Sequence, residues 1–515
     1  MIRIGIDVGG TNTDAVVMEG TQVIAGVKAA TTADVMSGVV AALTDVLAAS
    51  KLAPGAIDVV MIGTTHFTNA VVQRRDLAQT AAVRLGLPAT ASLPPMVDWP
   101  EDLKQTIGNH GYLAHGGNEF DGRVISPLDE QELLGIAADI KAKGITTIAI
   151  TSVFSPVSAE FEKRAGEIFA KALPGCHITL SSDIGRIGLL ERENAAIMNA
   201  CLRDLSAKVV DAFGDAIKAA GIKGKFFLTQ NDGTLMEAAF AKQFPVLTFA
   251  SGPTNSMRGA AFLSGVADAI VVDIGGTTSD VGSLHKGFPR QATVAVEVGG
   301  VRTNFRMPDV FSIGLGGGSH VVDGPNGVTV GPQSVGYRIV TEALIFGGKT
   351  LTTSDIEVAA GRAELGDKAK VAHLAPDLLD RTQKKIMSML TDCVERSRLS
   401  PDPLPVIVVG GGSILVDGPI GGLEVIKPNH FAVANAVGAA IAQVSGEVDR
   451  VYSLASMSRD AALDDAKKQA TDAAVAAGAL LSSIEIVDVE DVPLAYLPGN
   501  ATRVRVKAVG ELHVG

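Results

Sequence analysis

The stretch IGIDVGGTNTDAVV at residues 4–17 returns as IVVDIGGTTSDVGS at residues 270–283. The same offset separates Asp7 from Asp273 and Asp14 from Asp280. Between them, Gly9, Gly10 and Thr11 fall on Gly275, Gly276 and Thr277, and Thr13 falls on Ser279. A chain that repeats a strand, a Gly-Gly-Thr turn and a second strand at constant spacing predicts two domains of one fold, each opening with the same β-hairpin.

These residue types suit phosphate chemistry. A glycine pair permits positive φ and lets backbone N–H groups approach a phosphate without a Cβ in the way. Thr and Ser hydroxyls add donors. A carboxylate at the end of the first strand can hold Mg²⁺ directly or through water. Asp7 and Asp273 are therefore the candidate metal and catalytic residues. Two such hairpins facing each other would grip phosphates from both sides of a cleft. A third glycine element, VVVGGGSILV, follows a strand near residue 409. Gly410, Gly411, Gly412 and Ser413 suit a turn lying against an adenosine.

The bulk numbers agree with an α/β protein. The chain has 515 residues, too many for one ordinary core. It is 47% hydrophobic and only 19% charged, a folding rather than a disordered composition. Its 57 glycines suit many tight turns. A net charge of −12 argues against nucleic acid or an anionic membrane as partner, because phosphate contact needs clustered Lys and Arg. Cys176, Cys201 and Cys393 are far apart and read as reduced thiols. The first residues run straight into a strand, and no apolar run approaches the ~20 residues of a membrane span. A cytoplasmic protein is the expectation.

Strand-like runs at 58–65 and 146–154 alternate with Ala-rich helical runs at 35–50 and after residue 157. A Pro- and Gly-rich stretch at 87–126 breaks the pattern and reads as an inserted lobe or a substrate-facing loop. The region 189–220 reads as a long amphipathic bridge between two halves. The predicted domains are 1–188, 189–455 and a small α+β module at 456–515.

The ordering of two phosphate turns and one adenosine turn resembles the actin-like ATPase superfamily. The predicted fold is then α/β, two duplicated ribonuclease-H-like domains around a nucleotide cleft. The run HFAVANAVGAAIAQVSG at 430–446 resembles that superfamily's second connecting helix. Further motifs narrow the resemblance: GTTHFTNAVVQRR, EFDGRVISPLDEQEL, QNDGTLM, FASGPTNSMRGA and FSIGLGGGSHVVD. In order and content they are similar to the hydantoinase A / 5-oxoprolinase family, which includes subunits of acetone and acetophenone carboxylases.

That resemblance implies a subunit of an ATP-dependent enzyme that opens a cyclic amide or imide such as a hydantoin, 5-oxoproline or a lactam. ATP would phosphorylate the carbonyl oxygen and water would open the activated ring, helped by a second, hydantoinase B-like subunit. An oligomer follows. Carried over, Asp7 and Asp273 serve the Mg²⁺–phosphate site. Gly9, Gly10, Thr11, Asn12, Gly275, Gly276, Thr277 and Thr278 hold phosphates. Gly316, Gly317, Gly318 and Ser319 line the cleft, and Gly63, Thr64, Thr65 and Asn69 lie beside the first hairpin. Departures concern the substrate rather than the fold. Relatives carry His at the position of Phe311, SNGG where this chain has QNDG at 230–233, and SGPAGG where it has SGPTNS at 251–256.

Other candidates carry less. FGGKT at 346–350 is no P-loop, since Ala343 stands where the pattern needs Gly, which leaves Lys349 a loop lysine. His110 and His115 with Glu119 and Asp121 read as exposed loop residues rather than a metal site. His66 reads as a helix-start residue. Asp14 and Asp280 follow their turns and default to hairpin hydrogen bonds, with Asp280 kept as a catalytic candidate. Glu191 and Asn194 read as interdomain contacts. Three other readings stay open: a carboxylase subunit of the acetone/acetophenone type, a small-molecule kinase of the actin-like superfamily, and a chaperone-like ATPase.

Overall fold

The computed structural model describes residues 1–9, 12–30, 35–292, 295–398, 402–455, 457–494 and 500–513. It is a mixed α/β fold. The strand Ile2–Val8 pairs antiparallel with Asn12–Glu19 and parallel with Val59–Thr64. The strand Ala269–Ile274 does the same with Ser279–His285 and Val406–Val409. Even the register repeats: Asp7 stands opposite Asp14, and Asp273 opposite Asp280.

Apolar alternation makes these strands central. Ile4, Ile6 and Val8 pack under the helix Val35–Ser50 through Val39, Leu43 and Val46. The other face needs a different device. Gly5 has no Cβ, and one placed there would lie 2.1 Å from the carbonyl oxygen of Ala436. The glycine therefore lets the helix Ala434–Ala440 rest directly on the strand. That helix also meets the helix Ser251–Ser264 at backbone distance, because Gly259 faces the Ala434 carbonyl and Gly438 faces that of Asn255.

The helix expected over 430–446 is shorter than its pattern. It ends at Ala440, and Gln443–Ser453 is a strand. Pairing decides this: residues 444–453 form a continuous antiparallel ladder with Ala501–Gly510. Gly446 lies under the helix Arg459–Ala476, where a Cβ would come within 2.1 Å of the Ala470 carbonyl. The strands of the 456–515 segment therefore do not form a sheet of their own. Glu485–Pro493 and Ala501–Gly510 extend the same nine-stranded sheet that begins with the first hairpin. Ala462, Ala466, Ala470 and Ala474 make a small-residue stripe that seats their covering helix.

The stretch 87–126 carries its own elements, the helix Glu101–Ile107 and the strand His110–His115. The strand is an edge of a four-stranded parallel sheet with Thr80–Leu87, Thr147–Ser152 and His177–Leu180. The bridging region is two helices, Leu189–Cys201 and Arg203–Ala219. Glu191 faces Arg302 at 3.7 Å, and Asn194 accepts from the Trp99 indole at 2.7 Å. Among the described residues, no helix is long and apolar enough to cross a membrane.

Candidate functional site

Both glycine turns close in the same way. The Gly9 N–H donates to the Asn12 carbonyl at 3.0 Å, and the Gly275 N–H to the Thr278 carbonyl at 2.9 Å. Gly10 and Thr11 lie outside the described residues. The two turns face a cavity of about 430 Å³. Gly9, Asn12, Asp14 and Lys28 line it on one side, and Asp273 with Gly275, Gly276, Thr277 and Thr278 on the other. Gly410, Gly411, Ser256, Asn435 and the largely exposed Tyr337 complete the wall. Residues far apart in sequence thus share one cleft.

The carboxylates divide in a way the sequence did not announce. Asp7 is only 5% exposed and sits behind the wall. The Asn255 amide donates to its Oδ1 at 3.5 Å and the Asn435 amide to its Oδ2 at 3.0 Å. Burial pushes its carboxyl up to about 7, with repulsion from Asp14 and Asp273 adding to the rise and the two amides opposing it. Asp14, expected only to brace its hairpin, lines the cleft. The Lys28 ammonium straddles it, 2.6 Å from Oδ1 and 2.7 Å from Oδ2. Burial raises Asp14 as well, and Lys28 works against that rise. Asp273 is raised by burial and receives a hydrogen bond from the Ser256 hydroxyl. Asp280 is pushed up to about 6, chiefly by burial, and accepts from the Ser312 hydroxyl. It does not line the cleft.

Gly63, the strand partner of Asp7, and Gly410, the residue after Asp273's strand partner Val409, are glycines for a steric reason. A Cβ on Gly63 would sit 2.6 Å from Asp7 Oδ1 and 2.2 Å from the Asn255 amide nitrogen. A Cβ on Gly410, at φ +87°, would sit 2.3 Å from Asp273 Oδ1. Gly412 and Ser413 are buried beneath that turn, with the Ser413 hydroxyl donating to the Gly410 carbonyl at 2.7 Å. Thr64, Thr65 and Asn69 flank the first hairpin: the Thr65 N–H donates to the Val8 carbonyl, and the Asn69 amide to the Thr65 hydroxyl.

Gly316, Gly317 and Gly318 were expected in the cleft and stand behind it. All three are buried against the second turn. The Gly317 N–H donates to the Gly275 carbonyl at 3.0 Å and the Gly318 N–H to the Gly276 carbonyl at 2.7 Å. A Cβ on Gly316 would meet the Thr277 nitrogen at 2.6 Å. These glycines buttress the turn. Ser319 is buried with them and donates to neither cleft wall; its hydroxyl accepts from the Gly316 N–H.

The remaining candidates fall elsewhere. His115 contacts Glu132 and His110 contacts Gln79, both at the surface. Among the described residues, no three His, Cys, Asp or Glu side chains form a ready-made metal site. Lys349 is exposed. His66 starts a helix and its N–H donates to the Thr64 hydroxyl.

Lys28, Asn255, Ser256, Asn435 and Tyr337 escaped the sequence reading. Lys28 had a signal: a lone lysine near the end of the strand Gln22–Ala30, opposite Asp14 in register. Asn255, Ser256 and Asn435 depend on how two helices cross, and Tyr337 comes from the short turn Gly336–Arg338.

The architecture defines a mixed α/β protein with paired glycine turns over a carboxylate-lined cleft. Comparison with known proteins places it further. Its residues 3–173 match the hydantoinase/oxoprolinase N-terminal region, and residues 192–366 match the hydantoinase/oxoprolinase model. The chain belongs to the hydantoinase/oxoprolinase family. It is similar to the caprolactamase subunit alpha of Pseudomonas jessenii, 25% identical over 468 residues, covering 85% of this chain and 65% of that one. It is also similar to the acetophenone carboxylase gamma subunit of Aromatoleum aromaticum, 27% identical over 254 residues, covering 47% and 34%. The chain therefore spans less than two thirds of these relatives' lengths. The crystal structure of the ATP-dependent caprolactamase from Pseudomonas jessenii shares the fold, with a TM-score of 0.76 at 18% identity over 99% of this chain and 88% of that one.

Proposed function

We propose that this chain is a subunit of an ATP-dependent enzyme that opens a cyclic amide or imide. The observation that carries the reading is the pair of glycine turns with identical register and closure, facing each other across one cleft beside buried carboxylates. The same equivalence supports two duplicated actin-like domains, divided near residue 188, with 456–515 completing the sheet of the first.

The donor set fits Mg²⁺ and a nucleotide. Asp14 and Asp273 reach the cleft with Asp7 behind, and the Lys28 ammonium pairs with Asp14. Such a site favours a hard cation that takes one or two carboxylates and fills its other positions with phosphate oxygens and water. Asp273 would hold Mg²⁺, with Asp7 adding charge from beneath. When bound, the metal would neutralise charge on the phosphates. Backbone N–H groups of Asn12, Gly276 and Thr277 would orient those phosphates, and Gly410 and Gly411 would leave room for the nucleoside.

An amide carbonyl is a poor electrophile. Transfer of the γ-phosphoryl group to its oxygen, with ADP leaving, makes that oxygen a leaving group. Water then adds to the ring carbon and the C–N bond breaks, leaving the ring nitrogen protonated as an amine and the carbon as an acyl phosphate; a second water cleaves that acyl phosphate to carboxylate and phosphate. Positioning and electrostatic stabilisation do most of this work. A hydantoinase B-like partner subunit, an oligomer and a cytoplasmic setting belong to the same reading.

The test is ADP release by the purified chain with Mg²⁺ and ATP across hydantoins, 5-oxoproline and lactams, with and without a partner subunit. Stimulation by one ring, lost in Asp273→Ala, is the expected result. The likeness to an acetophenone carboxylase subunit favours a second reading, in which ADP formation requires bicarbonate and an open carbonyl compound. No ADP formation under either condition would sink both.

A further inference from the structure

Two consecutive residues on one helix reach the aspartates of both hairpins. On the helix Ser251–Ser264, Asn255 donates to Asp7 and Ser256 donates to Asp273. Asn435, on the helix Ala434–Ala440, donates to the other oxygen of Asp7. The two helices are locked together. Gly259 would place a Cβ 1.8 Å from the Ala434 carbonyl, and Gly438 one 1.8 Å from the Asn255 carbonyl. Neither helix can slide along the other without a backbone clash.

The tethers extend to the rest of the site. The Ser251 hydroxyl donates to the Thr64 carbonyl and accepts from the Thr64 N–H, which fixes the start of the helix to the strand beside Asp7. Asn255 is fully buried, and its amide also donates to the Thr229 hydroxyl at 3.0 Å. Its own Oδ1 is buried with no hydrogen-bond partner. A buried amide with an unsatisfied oxygen costs stability unless its placement does something else. Here its nitrogen is spent on a carboxylate.

We infer that Asn255 and Ser256 are positioning residues that act as one gauge: they hold the strand-end carboxylates of the two hairpins at a fixed separation, set by one peptide unit of a helix locked against its neighbour. The inference rests on the reading of the cleft as a Mg²⁺–nucleotide site, for which that separation matters. A bound cation with narrow distance limits penalises a carboxylate that can drift. The neighbouring side chains that orient a ligating carboxylate thereby tune affinity for the metal.

The experiment uses the full chain and a fluorescent ATP analogue. The quantity read is the Mg²⁺ concentration at half-saturation of nucleotide binding. Ser256→Ala should raise it about tenfold, the weight of one hydrogen bond to a charged group. Ser256→Thr keeps the hydroxyl and should return it to within about twofold of wild type. Asn255→Ala should act in the same direction. Mg²⁺ curves of Ser256→Ala and Asn255→Ala that overlay wild type would overturn the inference.

If wild type itself binds no Mg²⁺–nucleotide, the functional reading fails, and the gauge is decided on the ligand-free protein. The Tm change from Asn255→Ala is then compared in the wild-type and Asp7→Asn backgrounds. Unequal changes, the mark of residues that interact, are expected. Equal changes refute the gauge.

Discussion

Replacing Asp7 with Asn should stabilise the ligand-free protein, and more so as pH rises. Native Asp7 is buried among carboxylates and amides, and its carboxyl is pushed from 3.8 up to about 7. The sign follows from linkage. The native state holds this proton more tightly than the unfolded chain, so Asp7 favours folding fully below pH ~4 and progressively less as pH rises through about 7. One pKa unit is ~1.4 kcal/mol, so between pH 5 and pH 8 the wild type loses about 3 kcal/mol through this group alone. Asn does not titrate. Its amide has one accepting oxygen where the carboxylate offers two to Asn255 and Asn435, a loss that is the same at every pH. The stability difference between Asp7→Asn and wild type should therefore widen by about 3 kcal/mol from pH 5 to pH 8. Urea unfolding at both pH values reads it, followed by circular dichroism and by the single tryptophan, Trp99. Titrating groups that do not interact with Asp7 are common to the two proteins and cancel, while removing its charge also relieves the repulsion it shares with Asp14 and Asp273. A difference that stays flat, or shrinks, would refute the claim that burial rather than hydrogen bonding governs Asp7.

Lys28→Met should leave the Asp14 carboxylate buried without its cation and cost about 3 kcal/mol, with most of the loss recovered in Lys28→Met/Asp14→Asn; thermal melts of the three variants check this. Gly410→Ala should abolish nucleotide binding without global unfolding, because its Cβ would strike Asp273 Oδ1 from a left-handed backbone; isothermal titration with ATP and circular dichroism read the two outcomes separately. Arg84→Met should cost about 3–5 kcal/mol by stranding the buried Glu193 carboxylate, and a Glu193→Gln partner substitution should restore much of it.

The duplicated hairpin was legible because it is local. Two strands, a glycine turn and a constant spacing lie within fourteen residues, and their register follows from alternation alone. The helix Val35–Ser50 was legible for the same reason, its apolar spacing matching its extent. What the sequence concealed depends on partners far along the chain. Residues 443–446 read as the end of the preceding helix, yet from Val444 a ladder with 501–510 makes them strand. Asp14 and Asp280 occupy matching positions, yet only Asp14 lines the cleft, and their partners differ, Lys28 for one and Ser312 for the other. Gly316–Gly318 carry the composition of a phosphate loop, but their N–H groups are already used, those of Gly317 and Gly318 by carbonyls of the second turn and that of Gly316 by the Ser319 hydroxyl. Glycine content reports that a backbone comes close to something. It does not say whether that neighbour is a ligand or another backbone. The SGPTNS stretch makes the same point from the other side: its departure from the family pattern was visible, but Asn255 and Ser256 acquire a role only once the helix is seen to lie between two aspartates. In this chain the residues that touch phosphate-type turns are written in the hairpins, while those that set the distance between the hairpins are written in the helices that cross beneath them.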